Sequence, residues 1–323
     1  MKKLTAIVAA VAVLTGAAMA HAQDAYPNKP IRLIVPFPAG GALDSLARPI
    51  AMGLGKRLGQ NVVVENRPGG NLVPASIAVA QAPADGYTLY YTLGQPYSTN
   101  QFFYKSLPYD VNAYTPIAPI GVYTYTFQAA ANSPFKSLKE VIDHARANPT
   151  KITNANPGAT SAGRLASELF MNAAGVKMTQ VPYQGGVAQA VSVASGQVDF
   201  MVNEASSSSA FMRSGQIKTF AINSDKRLAG FPDVPTLAEA GYPTMQIPNP
   251  YAVLVGPKGM PEAIVTRLAR EVAVVMESDE VKNVMNTMVI RPLQGGPAET
   301  RALIDNEAKS FGPIIKALNI SLD

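Results

Sequence analysis

A glycine-rich turn near the start of the chain has the residue types of an anion-binding site. Residues 31–35 form a short apolar run typical of a buried strand, and the two prolines within 36–38 end it. Gly40 and Gly41 allow the backbone conformations that a tight turn needs, and a helical pattern begins over 44–48. A helix N-terminus presents unpaired N–H groups and a positive dipole end, which can bind a small carboxylate or phosphate without a metal. The alternative is an ordinary strand-to-helix turn, since many such turns carry glycine and bind nothing.

Side chains suited to covalent or metal chemistry are scarce. The chain of 323 residues contains no Cys and two His, and His21 belongs to a segment that we expect to be removed. The remaining His144 follows Asp143 directly, and neighbouring residues of a helix point in different directions, so Asp143 does not orient it. There is no G-x-S-x-G motif, and one His without Cys cannot form a transition-metal cluster. We therefore predict no enzyme activity, no cofactor and no metal; a hydrolase with paired carboxylates stays an alternative.

The first 22 residues have the features of a cleaved signal peptide. Two lysines precede an apolar stretch over 4–18, and residues 20–22 supply small side chains before the expected cut. The apolar stretch is short for a membrane span, so we expect an exported, soluble protein of the periplasm. Loss of the two lysines changes the formal net charge from +5 to 5 − 2 = +3. Because no Lys- or Arg-rich run is present, we expect no nucleic-acid partner.

The rest of the chain alternates short apolar runs with amphipathic stretches, the pattern of an α/β fold with a mainly parallel sheet. We predict strands at 31–35, 61–65, 87–93, 117–127, 151–155, 178–182, 198–202, 217–223 and 251–255. We predict helices at 43–58, 74–82, 137–147, 161–174, 185–195, 204–213, 235–240, 262–277 and 299–317. Ser137 followed by Glu140 has the spacing of a capping box at one of these helix starts.

The pattern loosens near 120–130 and again near 245–250, where prolines crowd together. Two such breaks indicate a middle lobe inserted between two halves of another lobe. We predict that lobe 1 comprises 23–123 plus 248–323 and that lobe 2 comprises 124–247. A cleft between lobes joined by two crossing segments can close around a ligand like a hinge.

Seven motifs occur in the order and at the spacing of one known family. They are VPFPAGGALDSLAR (35–48), VVENRPGG (63–70), PADGYTLYYT (83–92), KSLPYD (105–110), YTPIAPIG (114–121), VPYQGG (181–186) and DVPTLAEAGYP (233–243). Together they resemble the tripartite tricarboxylate transporter receptors, also called the Bug or TctC family, over essentially the whole mature chain. The resemblance implies a two-lobe α/β periplasmic binding protein of the type II, flytrap kind, with two mainly parallel or mixed sheets and a ligand cleft between the lobes.

The resemblance also implies a function and partners. Family ligands are mostly small carboxylates that are delivered to a two-component membrane permease. We expect the ligand to be a small mono- or dicarboxylate. The number of tyrosines in lobe 1 slightly favours an aromatic acid. Some family members serve signalling, so a periplasmic ligand-dependent sensor is an alternative, ahead of a secreted hydrolase. We expect a monomer.

In the family, the first strand-to-helix loop and a turn of lobe 2 bind one ligand carboxylate, partly through ordered waters. On this chain the first loop corresponds to Phe37, Pro38, Ala39, Gly40, Gly41, Leu43 and Asp44. We interpret Asp44 as a cap and clamp of the loop more than as a ligand contact, because a carboxylate repels an anion. The turn of lobe 2 corresponds to Asn156, Gly158, Ala159, Thr160 and Ser161. Arg164, in the helix that follows, could add a charge to this turn.

Four further candidates have weaker support, and the role of a fifth residue, Glu204, stays open. Gln95 and Tyr97 follow a strand, in a loop that the family uses; Tyr97 could contact the ligand, or it could simply pack at the strand end. Gln184 opens another helix at the implied cleft wall. Asn203 follows a strand whose carboxyl end is the usual ligand side of an α/β sheet. The neighbouring Glu204 suits either a ligand hydroxyl or ammonium group, or the start of a helix.

Overall fold

The computed structural model describes residues 26–158, 161–245 and 247–317, so the predicted signal peptide lies outside the described residues. Within them the chain forms eleven strands, numbered here in chain order. They are β1 (Ile31–Val35), β2 (Val62–Asn66), β3 (Thr88–Leu93), β4 (Tyr114–Tyr123), β5 (Tyr125–Ala130), β6 (Thr153–Asn156), β7 (Thr179–Pro182), β8 (Phe200–Glu204), β9 (Ile217–Ile222), β10 (Tyr251–Pro257) and β11 (Ile290–Pro292).

Nine α-helices accompany these strands in the same described ranges. They are α1 (Ala42–Leu58), α2 (Val73–Ala80), α3 (Leu138–Ala147), α4 (Ala162–Ala174), α5 (Gly186–Ala194), α6 (Ala205–Arg213), α7 (Glu262–Met276), α8 (Asp279–Thr287) and α9 (Pro297–Ala317). The predicted cap of α3 is confirmed: Ser137 Oγ accepts a hydrogen bond from the Glu140 N–H at 3.2 Å. Helix α1 is capped at its C-terminus by Gly59, whose φ of 72° lies in the left-handed region that glycine adopts most easily.

Six strands form the first sheet, in the order β11-β4-β10-β3-β1-β2. Strand β1 runs parallel to β2 and β3, so that Leu33 lies opposite both Val64 and Leu89. Strand β10 is antiparallel to β3 and β4. Four of the five residues of β1 are buried, as expected for a central parallel strand covered on both faces.

Five strands form the second sheet, in the order β7-β6-β8-β5-β9. Strand β6 is parallel to β7 and β8, whereas β5 is antiparallel to β8 and β9. Both sheets are therefore mixed and each is interleaved with helices, which confirms the predicted α/β class.

The described chain passes between the sheets twice. The first sheet ends at Tyr123 and the second begins at Tyr125, with Thr124 alone between them. The chain returns to the first sheet between Ile222 and Tyr251. We call these two stretches the crossing segments.

Asn249 ties the two crossing segments together. Its Oδ1 accepts hydrogen bonds from the Tyr125 N–H at 2.9 Å and from Asn223 Nδ2 at 3.0 Å. Its Nδ2 donates to the Asn223 carbonyl oxygen at 2.7 Å. One side chain therefore bridges the outgoing and the returning chain at the junction of the sheets.

Each sheet has a hydrophobic core of its own. In the first, Leu33 of β1 is buried with Leu46 of α1 and Leu268 of α7. In the second, Phe127 of β5 packs against Phe170 of α4, with 5.2 Å between the ring centroids. Burial of these large apolar side chains is the main force that holds helices to sheets.

Helix α9 contacts both cores. Ile304, near its start, is buried with Val253 of the first sheet. Ile315, near its end, is buried with Phe127 in the core of the second sheet, which also takes up Phe103. The cores are thus not divided strictly at the predicted lobe boundaries, because the end of α9 reaches across to the second sheet.

Most predicted elements are present with small shifts at their ends, but two predictions are corrected and two elements were not predicted. The apolar run 117–127 is divided between β4 and β5, which belong to different sheets. The segment 235–240 is not an α-helix, because Thr236 makes a bridge to Ile222 of β9. Strand β11 and helix α8 were not predicted; for β11 the reason is that a strand of three residues gives only a short pattern.

Candidate functional site

A cavity lies where segments of both sheets meet. Its volume is about 20 Å³, room for about one water molecule. The residues that line it are Leu93, Gly94, Gln95, Thr99, Phe103, Ala162, Leu165, Pro248, Pro250, Tyr251 and Glu307. The turn after β3, the start of α4, the returning crossing segment and α9 therefore converge here. Among the described residues predicted to bind a ligand, only Gln95 lines this cavity.

Gln95 is held by a network of amide side chains. Its Nε2 donates to Asn71 Oδ1 at 2.9 Å and to Asn100 Oδ1 at 3.1 Å. Asn100 Nδ2 donates in turn to the Tyr109 hydroxyl at 3.0 Å. Because both amide hydrogens of Gln95 are used, its Oε1 is the amide atom left for a ligand. Sequence reasoning assigned no role to Asn71 or Asn100, which hold this side chain in place.

Glu307 brings a carboxyl group to the cavity from α9. Its Oε2 accepts hydrogen bonds from the Tyr251 hydroxyl at 2.8 Å and from Ser98 Oγ. Burial raises the pKa of Glu307, although the two hydrogen bonds act in the opposite direction. Sequence reasoning missed this residue. Its spacing from Ile304 and Phe311 places it on the apolar stripe of α9, which is a signal that could have found it.

Asp44 closes the first loop. Its carboxylate accepts hydrogen bonds from the Gly40 N–H at 2.8 Å, from Asn66 Nδ2 at 2.8 Å and from two Arg48 nitrogens at 2.8 and 2.9 Å. Burial raises the pKa of Asp44, but the hydrogen bonds from Arg48, Gly40 and Asn66 outweigh this and hold it below its usual value. The interpretation as a loop clamp is confirmed, whereas the N-cap position of α1 belongs to Gly41.

The two glycine N–H groups of the first loop are committed to the loop itself. That of Gly40 binds Asp44, and that of Gly41 donates to the Pro38 carbonyl oxygen at 3.2 Å. A direct role for these two N–H groups in anion binding is therefore corrected to a role in shaping the loop. The first turn of a helix has no intrahelical partners for its N–H groups, so the N–H groups of residues 42–44 have no partner within α1.

The side chains of the first loop divide between surface and core. Pro38 and Ala39 are exposed, and Phe37 is half-buried against the first core. Leu43 is buried in that core. It can therefore contribute only its backbone to a ligand site, which corrects any expectation of a side-chain contact.

Asn156 shapes the turn of the second sheet. Its Oδ1 accepts a hydrogen bond from the Gly158 N–H at 3.1 Å, and its Nδ2 donates to Gln180 Oε1 at 3.0 Å. Both ends of this buried amide are thus occupied within the protein, and Gly158 takes a φ of 119° that favours glycine. Two residues predicted for this turn lie outside the described residues: Ala159 and Thr160.

Ser161 is the N-cap of α4. Its Oγ accepts from the Arg164 N–H at 3.1 Å and donates to the Gly158 carbonyl oxygen at 2.7 Å. The Arg164 guanidinium pairs with Glu168 at 2.6 Å, one turn further along the helix. Its charge is thus compensated within α4. Ala162, the first residue of the helix, is the part of this region that lines the cavity.

Tyr97 packs in the core of the first sheet. Its ring stacks on Tyr114, with 4.1 Å between centroids and an interplanar angle of 30°, and meets Tyr90 edge-on. Burial raises the pKa of Tyr97 well above its ordinary value. The predicted ligand contact of this side chain is therefore corrected to a packing role, the alternative that the sequence left open.

Gln184 and Asn203 lie at the start of α5 and the end of β8. Gln184 is exposed. Asn203 is buried, and its Nδ2 donates to the Gly186 carbonyl oxygen at 3.0 Å, which anchors α5. The neighbouring Glu204 occupies the N-cap position of α6, but its side chain makes no capping hydrogen bond. Burial raises the pKa of Glu204.

His144 is the residue that the sequence offered for hydrolytic chemistry. His144 lies on the exposed face of α3, with its ring 5.3 Å from that of Phe135. In the described ranges, no group of His, Cys, Asp or Glu is arranged to hold a metal ion.

No helix of the described residues has the length and apolar character needed to cross a bilayer.

Two sequence comparisons bear on the identity of the chain. The sequence model of the tripartite tricarboxylate transporter family receptor matches residues 46–320. Protein BugT of Bordetella pertussis is 30% identical over 324 residues, a match that covers 100% of this chain and 99% of BugT.

Solved structures share the fold. A protein of R. palustris in complex with adipate superposes with a TM-score of 0.83 at 30% identity, over 92% of this chain and 99% of that one. MatC from Rhodopseudomonas palustris, with bound malate, gives a TM-score of 0.79 at 26% identity, over 90% of this chain and 100% of MatC. The predicted two-lobe α/β fold of periplasmic binding proteins is confirmed.

Proposed function

This chain belongs to the tripartite tricarboxylate transporter receptor family, and we propose that it captures a small organic carboxylate between its two sheets. The observation that carries the proposal is the cavity at which α4, α9 and the turn after β3 converge. Clefts between two bodies joined by crossing segments are common ligand sites. Relatives bound to adipate and malate make small dicarboxylates and substituted acids the compounds to test first.

Helix N-termini supply the anchor for the carboxylate. Ala162 begins α4 and lines the cavity, and the first N–H groups of a helix are free to bind an anion at the positive end of the dipole. The first turn of α1, residues 42–44, offers the same groups beside the clamped first loop, but these residues do not line the cavity as it stands in this structure. Backbone N–H groups recognise any carboxylate, so this anchor is generic. Selectivity among acids belongs to the side chains elsewhere in the cavity.

Binding requires the cleft to open. A cavity of about 20 Å³ holds about one water molecule, far less than an organic acid needs. The crossing segments and α9 connect the two sheets, so a change of angle between the sheets bends these connections. The bridge made by Asn249 keeps the two crossing segments together during such a movement.

The acid is then delivered to a two-component membrane permease from the periplasm. The family description supports a receptor that works with a transporter. The first 22 residues have the composition of a cleaved signal peptide, which supports an exported compartment as the place where this receptor meets its permease.

A thermal-shift screen tests the proposal. The mature protein is heated with dicarboxylates, citrate-like acids and benzoate-like acids, and a hit is then measured by titration calorimetry. At a concentration of about a hundred times the Kd, a ligand of the folded state adds about 2.7 kcal/mol to the free energy of unfolding. Matched primary amides, which lack the carboxylate, are the control and produce no shift. A complete acid set without any shift near neutral pH contradicts the proposal.

A further inference from the structure

Arg213 connects the two sheets at a point outside the cavity. It is the last residue of α6, a helix of the second sheet. Its Nη1 donates a hydrogen bond to the Thr287 carbonyl oxygen at 2.8 Å, and its Nη2 donates to the Asn286 carbonyl oxygen at 3.4 Å. Both acceptors lie at the C-terminus of α8, a helix of the first sheet. The guanidinium group therefore links two helices that belong to different sheets.

The chemistry of Arg213 suits this contact. The last carbonyl groups of an α-helix have no partner within the helix and form the negative end of its dipole, which favours a cation. None of the ion pairs formed by the described residues includes Arg213, so no carboxylate neutralises its charge. The guanidinium carbon also lies 5.4 Å from the centre of the Phe231 ring. The positive charge is thus directed at the end of α8.

Each of the two helices is fixed to its own sheet. Met285 of α8 is buried in the core of the first sheet. Phe211 of α6 is half-buried against the apolar cluster that contains Met201 of β8. Because each helix moves with its sheet, the distance between Arg213 and Thr287 depends on the angle between the sheets.

The contact lies on the face of the molecule opposite to α9. Successive residues of a strand point to opposite faces of its sheet. In β1, Leu33 packs in the core that includes α8, whereas Ile34 packs in the cluster that includes the start of α9. In β8, Met201 packs in the cluster of α6, whereas Val202 packs in the core that includes the end of α9. Helix α9 therefore connects the sheets on one face, and Arg213 connects them on the other.

Movement of the sheets away from each other strains this contact. The crossing segments and α9 hold the sheets together, so the sheets can separate most easily on the face opposite to α9, where α6 would move away from α8. The Arg213 contact is formed in an arrangement whose cavity is about 20 Å³, which we call the closed form.

We propose that Arg213 is a latch that stabilises the closed form and so sets the balance between the closed and open forms of the protein. Open and closed forms of a protein differ little in free energy, so one charged contact can change their populations. The inference goes beyond the proposed function, because the latch acts on the sheets whether or not an acid is bound.

Distance measurements test the latch. The chain has no Cys, so Met52→Cys and Val191→Cys attach one spin label each to exposed positions of α1 and α5, which belong to different sheets and lie on the face of the latch. Pulsed EPR gives the distribution of distances between the two labels in the mature protein without any acid. The variants are Arg213→Ala, which removes the latch, and Arg213→Glu, which brings a negative charge to the negative end of α8.

Arg146→Ala is the matched control. The Arg146 guanidinium group donates to the Ala174 carbonyl oxygen at 3.0 Å, at the C-terminus of α4. The chemistry of this contact is the same as that of the latch, but both helices belong to the second sheet. Loss of Arg146 should therefore leave the angle between the sheets unchanged.

We expect Arg213→Ala to shift the distribution towards longer distances and Arg213→Glu to shift it further, while Arg146→Ala matches the wild type. An acid from the thermal-shift screen should bind Arg213→Ala about three- to tenfold more weakly, because less of the protein is in the closed form. Distributions that do not move to longer distances in the Arg213 variants overturn the inference, whatever acid binds. Failure of every acid to bind the wild type overturns the proposed function alone, since the EPR measurement needs no ligand.

Discussion

The Asp44 carboxylate holds the Gly40 N–H at 2.8 Å, so the third residue of α1 fixes the loop that precedes the helix. The same carboxylate accepts from Asn66, which lies at the end of the neighbouring strand β2. One buried acid thus connects a loop, a helix and a strand. This arrangement keeps the N–H groups at the start of α1 in a fixed position, which lowers the entropic cost of binding an anion there.

Replacement of Asp44 by Ala should lower the free energy of unfolding by about 2 kcal/mol, because the Gly40 and Asn66 donors lose a charged acceptor. Urea unfolding of the mature protein measures the change. The matched control is Asp143→Ala, which removes an acid that pairs with Lys139 on the exposed surface of α3. We expect that control to leave stability almost unchanged. Equal effects of the two substitutions would show that Asp44 is not a clamp.

The titration of Asp44 should be visible in the pH dependence of the free energy of unfolding. Hydrogen bonds from Arg48, Gly40 and Asn66 overcome the effect of burial and lower its pKa in the folded state. The contribution of Asp44 to the free energy of unfolding is therefore fully present above the pKa of an aspartate in the unfolded chain, about 3.9. It is lost as the pH falls through the lower pKa that Asp44 has in the folded protein. The stability difference between wild type and Asp44→Asn should shrink below about pH 5. Chemical unfolding at a series of pH values measures it, and a constant or growing difference contradicts the assignment.

Gly40→Ala should weaken ligand binding through the shape of the first loop. Gly40 has a φ of 80° and no atom within 4 Å of an added Cβ, so backbone strain is the main cost, about 1 kcal/mol of stability. Gly59→Ala is a matched control, since Gly59 has a φ of 72° and equally open surroundings at the other end of α1. Calorimetry with a ligand from the screen should give lower affinity for Gly40→Ala alone. Similar affinities for the two variants would show that the first loop does not take part in ligand binding.

Tyr97→Phe should leave ligand affinity unchanged within about twofold, because the ring packs on Tyr114 and Tyr90 and does not line the cavity. Gln95→Leu, two residues earlier, removes a polar group of the cavity and should weaken binding. The same titration measures both variants. A marked loss of affinity in a stable Tyr97→Phe protein would restore the ligand role that the sequence suggested.

Asn249→Ala should destabilise the junction of the two sheets by about 2 kcal/mol, because the Tyr125 N–H and the Asn223 amide lose their partner. Thermal and urea unfolding measure the loss, and the crossing segments should also become less protected in hydrogen exchange. The control is Asn148→Ala, an exposed residue that donates only to the His144 carbonyl oxygen at the end of α3. If protection of the crossing segments is the same in wild type and Asn249→Ala, the bridge does not restrain the junction.

The sequence by itself determined the class of fold and most of its elements. The apolar runs of β1 and β3 and the stripe of α7 are local periodicities, and a local pattern is sufficient to specify a strand or a helix. The Ser137 cap was readable for the same reason, since both partners lie within one turn. Seven ordered motifs identified the family because order and spacing along the chain need no structure to be seen.

The tertiary structure decided which residues meet at the site. Tyr97 follows a strand in a loop of the expected kind, but only the packing of the first sheet shows that its ring turns into the core. Glu307 and Gln95 are far apart in the chain and line one cavity because α9 crosses from one sheet to the other. Such contacts depend on how whole elements pack together, and no pattern within a single segment records that geometry.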